Sequence, residues 1–381
     1  MIVVGVTSPQ TCMVLRARLS GFRRSGFCVT VVSGPGALLE KTASAAGAEA
    51  VAVPMRREIA LRADLVSLYR LWRLLGRVKP QIAEFSTPKA GLLGMLAASL
   101  RRVPHRVYLL RGLKLETSAG LKRLLLLTSE RMASFCAHVV LCNSQSLRDQ
   151  ALALGVAPAS KLLLLGGGSS NGVDTECFSP GSTVVREQFG IPADAPLIGF
   201  VGRLTRDKGV PELVAAFEQI LAAQPAAWLL LVGWFDHAED ALPASLRASI
   251  ENHPRILVTG LVEETAPYYR AMDLLVLPTW REGFPNAVLE ASATGIPVVT
   301  TESTGARDSV LPEVTGLLIP PGYPEAIQEA VLSLLADPEQ RTRMGRAARA
   351  WVLSNYAETQ VLGHTADFYW NLLDQARSAS S

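Results

Sequence analysis

The sequence predicts an α/β chain built as two consecutive doubly wound, Rossmann-like domains. Short β-branched apolar runs alternate with longer segments of helical spacing, and the second half repeats that alternation. The 381 residues, 49% hydrophobic and 19% charged, suffice for more than one packed core. In order along the first half, 2–6, 28–32, 51–53, 107–110 and 139–142 are apolar, short and bounded by Gly, Pro or polar residues. Such runs read as buried parallel strands. Between them 13–25, 60–78, 89–100, 121–137 and 144–154 carry helical spacing. In the second half, strands are expected at 197–201, 228–232, 256–259, 274–277 and 297–300, with helices at 210–223, 287–294 and 324–336.

The small-residue stretch from Gly166 to Gly172, continuing to Pro180 and Gly181, marks the boundary and reads as a hinge. It lacks the Lys-Ser/Thr of a P-loop. The expected domains are 1–170 and 171–356. A final helix at about 357–378, with Phe368, Tyr369 and Trp370, is expected to return to the first domain. Ligands of open α/β sheets sit beyond the carboxyl ends of the strands, so two sheets facing a cleft would give one domain to each substrate.

Several classes are set aside. No apolar run reaches the roughly 18 to 20 residues of a membrane-spanning helix, and Met1 to Val6 reads as a first strand and not as a secretory signal, so a cytoplasmic location is the expectation. Cys12, Cys28, Cys136, Cys142 and Cys177 are scattered, without a CxxC pair. The five histidines (His105, His138, His237, His253, His364) share no ligand spacing, and the acidic cluster Asp236, Glu239 and Asp240 reads as a solvated loop, so no metal site is expected. No cofactor is expected either.

The net charge of +3 conceals an asymmetry: residues 1–178 hold 23 Lys+Arg against 10 Asp+Glu, and the remainder 14 against 24. A basic half suits an anionic membrane leaflet or a phosphorylated substrate, or is a solvated surface. Nucleic acid is not expected, because no recognition motif or aromatic interleaving accompanies the basic residues. Leu121 to Leu127, with Ala90 to Leu100 and Arg101-Arg102, offers either a core helix or a basic, apolar membrane contact. For the latter Arg56, Arg57, Arg101, Arg102, Lys114, Lys122 and Arg123 are candidate anion contacts.

Two windows carry chemistry. In Arg281 to Ala291 a loop follows the strand 274–277 and runs into a helix start, where unpaired N–H groups favour phosphate. Glu282 in the loop and Glu290 on the helix could serve a sugar hydroxyl and a ribose, or be capping residues. The second window, Gly202 to Gly209, directly follows the strand 197–201. Arg203 and Lys208 there are either solvated loop charges or two cations that stabilise a departing diphosphate.

Glu282-x7-Glu290 within EGFPNAVLE, the preceding GRLTRDKG loop, Asn171-Gly172-Val173-Asp174 with Phe178-Ser179-Pro180, and Ala293 to Val299 resemble the retaining GT-B glycosyltransferases of family 4, over residues 171 to about 345. Segments 86–94, 111–117 and 168–174 resemble the subgroup that extends lipid-linked or capsular saccharides. The resemblance implies a GT-B fold and transfer of a sugar, usually from a UDP-sugar, to a saccharide acceptor with retention and without a protein nucleophile. A polyprenyl-pyrophosphate-linked acceptor and a peripheral seat on the inner membrane face would follow. By the same resemblance Arg203 and Lys208 grip the diphosphate, Glu282 contacts the donor sugar and Glu290 holds the ribose. Gly202, Gly283, Phe284, Pro285, Asn286 and Ala287 line the sugar and phosphates, and Gly260, Leu261 and Val262 meet the base.

Two departures stand out. Where many relatives have a histidine near the donor sugar, this chain has Arg111, either a ligand contact or a strand-end charge. The usual glycine-rich loop after the first strand is replaced by Thr7 to Thr11, which leaves Ser8 and Thr11 as acceptor or donor-sugar contacts. A small soluble acceptor, a nucleotide-sugar epimerase and an inactive binding partner are the alternative readings.

Overall fold

The computed structural model describes residues 1–56, 60–236 and 240–378; Arg57, His237 and Glu239, named above, lie outside the described residues. The chain divides into two units, Met1–Gly172 with Glu358–Ser381, and Val173–Ala357.

The first unit runs β1 (Ile2–Gly5), α1 (Pro9–Met13), α2 (Arg16–Arg24), β2 (Val29–Ser33), α3 (Ala37–Ala46), β3 (Glu49–Ala52), α4 (Leu61–Val78), β4 (Ile82–Ser86), α5 (Pro88–Leu100), β5 (His105–Leu110), α6 (Gly120–Cys136), β6 (Val139–Cys142), α7 (Gln145–Ala153) and β7 (Leu162–Leu164). The second runs α8 (Val185–Gln188), β8 (Leu197–Val201), α9 (Val210–Ala223), β9 (Trp228–Val232), α10 (Ala244–Asn252), β10 (Ile256–Val258), α11 (Ala266–Ala271), β11 (Leu274–Leu277), α12 (Asn286–Thr294), β12 (Val298–Thr301), β13 (Gly316–Ile319), α13 (Pro324–Ala336) and α14 (Pro338–Asn355). The last helix, α15 (Glu358–Ser378), belongs to the first unit and packs on α2.

Both sheets are parallel, in the orders β3-β2-β1-β4-β5-β6-β7 and β10-β9-β8-β11-β12-β13. This is the predicted doubly wound architecture, since helices cover both faces of each sheet. In the first unit the two faces carry separate cores: Val3, Phe85, Tyr108 and Val140 on the side of α4, α5 and α6, and Ile82, Val107, Leu109 and Leu141 on the side of α1, α2, α3 and α15. Alternation of side chains along each strand produces this division. The sheet orders also place a switch point, where the winding reverses, between β1 and β4 and between β8 and β11. At such points the loops diverge and leave room for a ligand.

Of the two readings of Ala90 to Leu100, core helix and membrane contact, the packing of α5 matches core helix. Helix α5 packs against both α4 and α6, and Ala90, Leu93, Met95, Ala97 and Ala98 are buried. Only Leu100 of its large side chains is well exposed. Arg101 is equally committed, since its guanidinium lies 3.3 Å from the Trp72 ring centroid and donates to the Trp72 carbonyl at 2.8 Å. The acidic loop is corrected: Asp236 accepts from Arg203 at 2.7 Å and is not left to solvent.

Gly166 to Gly172 is hydrogen-bonded into the first unit. The Ser169 amide donates to the Asn143 carbonyl at 2.6 Å, Arg18 Nη1 to the Ser170 carbonyl at 2.9 Å, and Asn171 Nδ2 to the Val14 carbonyl at 2.7 Å. From Val173 the chain belongs to the second unit, where the Val173 amide donates to the Tyr356 carbonyl.

Candidate functional site

In the second unit the loops leaving the carboxyl ends of β8 and β11 meet at the switch point. After β8, Gly202 to Gly209 forms a loop that closes in a short 3₁₀ turn over Arg206–Lys208. Gly209 follows at φ 73°, and a Cβ there would collide with the Pro278 carbonyl at the end of β11. This close approach, open only to glycine, holds the β8 loop against the β11 loop. The result is an ion pair between Lys208 Nζ and Glu282 Oε1, with both side chains 16% exposed. Two residues separated by 74 positions, one from each sequence window, are thus brought together.

Around this pair lies a charged network. Arg203 Nη1 donates to Asp236 and its Nη2 lies 3.9 Å from Asp207. Burial would lower the Arg203 pKa, but the Asp236 hydrogen bond and the charges of Asp207, Asp236 and Glu282 hold it above the ordinary arginine value. Asp207, with its side chain 2% exposed, accepts from the Thr205 hydroxyl at 2.7 Å and from Arg281 Nη2 at 2.9 Å. Burial pushes its carboxyl up, and Lys208, Arg281, Thr205 and Arg203 together pull it below the usual range. Asp207 therefore stays ionised and ties the two loops. Sequence reasoning passed over Asp207 and Arg281, although both lie inside the quoted motifs.

The β11 loop is held from behind. Its Glu282 amide donates to the Thr304 carbonyl at 2.9 Å, and Gly305 lies so close that a Cβ would come within 2.6 Å of the Gly283 carbonyl. Phe284 and Pro285 are buried, Phe284 against the Tyr356 ring at 5.1 Å. Pro285 then caps α12 without a side-chain hydrogen bond, so no side chain occupies the backbone donors at Asn286 and Ala287. A helix start in that state is an anion site by geometry and dipole. Glu290, one turn into α12, accepts from the Tyr269 hydroxyl at 2.8 Å and from Thr265 at 3.5 Å. Burial raises its pKa against those two hydrogen bonds. Gly260, at φ 71°, and the exposed Leu261 follow β10, and Val262 packs on the core.

In the first unit, Ser8 and Thr11 share a 3.2 Å hydroxyl contact after β1. Beside them Thr7 and Thr87 are joined at 2.7 Å, with Thr87 at φ 69°. Arg111 follows β5, on the strand next to β4, with Nε and Nη2 buried and without hydrogen-bond partners. Among the described residues no group of three or more His, Cys, Asp or Glu is placed to hold a metal ion.

With this geometry in place, residues 182–351 match the family described as glycosyl transferases group 1, and residues 14–168 the glycosyl transferase 4-like domain. The chain is 33% identical over 367 residues to the capsular polysaccharide biosynthesis glycosyltransferase CapM of Staphylococcus aureus, covering 96% of this chain and 95% of that one. It belongs to the group 1, family 4-like glycosyltransferases. Among solved structures, sucrose-phosphate synthase from Thermosynechococcus elongatus superposes at a TM-score of 0.82 with 22% identity, over 98% of this chain and 99% of the other. HepE of Anabaena in complex with UDP-glucose gives 0.82 at 18% identity, over 97% and 99%. These likenesses establish the GT-B fold of this family 4-like glycosyltransferase.

Proposed function

We propose that this glycosyltransferase moves a sugar from a nucleoside diphosphate sugar, a UDP-sugar first among candidates, to a saccharide acceptor with retention at the anomeric carbon. The observation that carries the reading is the Lys208–Glu282 pair at the β8/β11 switch point, with Arg203 in the same network and the uncapped start of α12 following in the β11 loop. Arg203 and Lys208 are the cations a departing diphosphate needs, and the α12 amides supply further donors. Glu282, released from Lys208 when the diphosphate takes the lysine, is free to accept from a donor-sugar hydroxyl. Glu290, oriented by Tyr269, is the ribose contact.

In this scheme the bond from the anomeric carbon to the phosphate oxygen breaks as the acceptor oxygen bonds to the same face. The acceptor proton passes to a diphosphate oxygen, and the nucleoside diphosphate leaves. The chain supplies charge stabilisation and orientation, with no covalent intermediate on protein. Two fixed cations perform the neutralisation a metal would otherwise provide, so we take the transfer to be metal-independent.

The CapM relative is named for capsular polysaccharide biosynthesis, and a lipid-linked saccharide acceptor accords with that setting. It also accords with the surface of α4 and α6. Leu61, Leu65, Val66 and Tyr69 on α4 and Leu121, Leu124, Leu125 and Phe135 on α6 are exposed, Phe135 at 80%. Exposed Arg62, Arg70, Arg73, Arg77, Arg123 and Arg131 stand among them. Apolar side chains ringed by arginine suit an anionic lipid leaflet.

The test is Lys208→Ala and Glu290→Ala. Loss of the lysine is expected to lower kcat on the order of 10²- to 10³-fold, as for removal of a group that meets transition-state charge. Loss of Glu290 is expected to raise the KM for the donor about tenfold or more. Unchanged donor affinity and turnover in both variants would reject the site.

A further inference from the structure

The carboxyl edge of β4, β5 and β6 gathers buried polar atoms that none of the described residues satisfies. The Ser86 hydroxyl at the end of β4, Arg111 Nε and Nη2 after β5, and Asn143 Oδ1 after β6 are all buried without hydrogen-bond partners. Ser86 is 1% exposed and Asn143 5%. Register makes them neighbours: Ser86 pairs with Leu109, and Leu110 with Cys142, so Arg111 and Asn143 are the next residues on adjoining strands. Alternation from Ile82, Leu109 and Leu141, which share one core, puts all three on the same face of the sheet. Unsatisfied buried polar groups are uncommon, and three on adjacent strand ends at the ligand edge of a parallel sheet call for a ligand.

The charge count says which kind. On the same face Arg18 and Glu84, 1% and 0% exposed, form a bidentate pair, with Arg18 Nη2 to Glu84 Oε2 at 2.6 Å. The Tyr369 hydroxyl of α15 donates to that carboxylate as well. Glu84 is thus spent on Arg18, and Arg111 has no ion pair of its own. The charges that act on Arg111 are the repulsive Arg18 and the attractive Glu84, and together with burial they push it down to about 10, so it remains a cation at neutral pH. A guanidinium with Nε and Nη2 buried and unpaired costs stability unless an anion completes it.

We propose that this edge is a subsite for an anionic group, a phosphate or a carboxylate borne by a saccharide substrate. The Arg111 guanidinium is its counter-charge, and Ser86 and Asn143 are the neighbouring hydrogen-bond partners. A guanidinium fork matches both oxyanions, and an amide oxygen beside it can accept from an adjacent sugar hydroxyl. The word saccharide rests on the transfer reading; the anion subsite rests on the three strand ends alone. Its consequence is a preference for acidic over neutral substrates.

The experiment titrates inorganic phosphate, glucuronate and glucose into the full chain held in saturating UDP, by calorimetry, for the wild type, Arg111→Gln and Ser86→Ala. The expected result is binding of phosphate or glucuronate that Arg111→Gln weakens about 10- to 100-fold and Ser86→Ala weakens less, with no binding of glucose. Preference for phosphate identifies a phosphorylated acceptor, and preference for glucuronate an acidic sugar. In parallel the bound anion should raise the Tm of the wild type and not of Arg111→Gln. Without anion, Arg111→Gln should melt no lower than the wild type. Anion binding that is absent or equal in Arg111→Gln would overturn the proposal. So would a variant that melts lower while the wild type ignores the anions. If UDP itself fails to bind, the transfer reading falls while the Arg111 dependence of anion binding is still read.

Discussion

The Glu130 carboxyl on α6 is buried, with the Tyr108 hydroxyl donating to it at 2.6 Å, and burial pushes it up from 4.5 to about 7 in spite of that hydrogen bond. An acid whose folded pKa is raised holds its proton more tightly in the native state. The stability it contributes is therefore complete below about pH 4.5 and is lost as pH rises through 7, by about 3 kcal/mol in order of magnitude. Glu130→Gln keeps the acceptor for Tyr108 and removes the titration. We expect its Tm to exceed that of the wild type at pH 8 and to approach it at pH 5; parallel Tm curves across that range would contradict this. At the same scale, the site was partly legible. Lys208, Glu282 and Arg203 could be read because they lie in short motifs directly after strands. Asp207 and Arg281 lie in the same motifs, but their role exists only through contacts to the opposite loop, Arg281 Nη2 to Asp207 Oδ2 across 74 residues. Nothing local marks such a pair.

Among the elements, β4 shows why a strand can hide. Ile82-Ala-Glu-Phe-Ser places a charge in the middle of a fully buried run, and a charge there argues against a strand until its partner is known. The partner, Arg18, lies 66 residues earlier on α2, and the third member of the cluster, Tyr369, comes 285 residues after Glu84 on α15. The central strand of the first sheet is thus specified by a long-range ion pair that periodicity cannot reveal. Strands β7 and β13 were also unread, being short or begun by glycine. Helix α4 was read as a helix but not as a surface. Its Leu61, Leu65, Val66 and Tyr69 are exposed, as are Leu121, Leu124, Leu125 and Phe135 of α6, whereas the apolar α5 packs against both neighbours. If this face meets anionic lipid, Leu61→Ser with Leu121→Ser should reduce co-sedimentation with phosphatidylglycerol vesicles about tenfold or more. Burying each leucine is worth roughly 1.5 to 3 kcal/mol. Binding should also fall with salt. Equal binding to neutral phosphatidylcholine vesicles, or no effect of the pair of substitutions, would rule the face out.

On the scale of the whole molecule, the repeated alternation of strand and helix was enough to read two doubly wound units, because each period is local and both sheets are parallel. The charge asymmetry is also a property of the whole chain: residues 1–178 carry 13 more basic than acidic side chains, and the rest 10 more acidic than basic. In the second unit three of the cations, Arg203, Lys208 and Arg281, are each committed to a carboxylate at one switch point.

Transfer from a nucleotide-sugar with retention is tested most directly by product analysis. A panel of UDP- and GDP-sugars is offered with and without membrane lipid extract, with and without EDTA, and the products are read by mass spectrometry and the anomeric configuration by NMR. The expected result is one donor consumed in the presence of extract, a saccharide product with the donor's anomeric configuration, no loss of rate with EDTA, and loss of turnover in Lys208→Ala. A donor isomerised without any acceptor, an inverted product, or no donor consumed even with extract would contradict it.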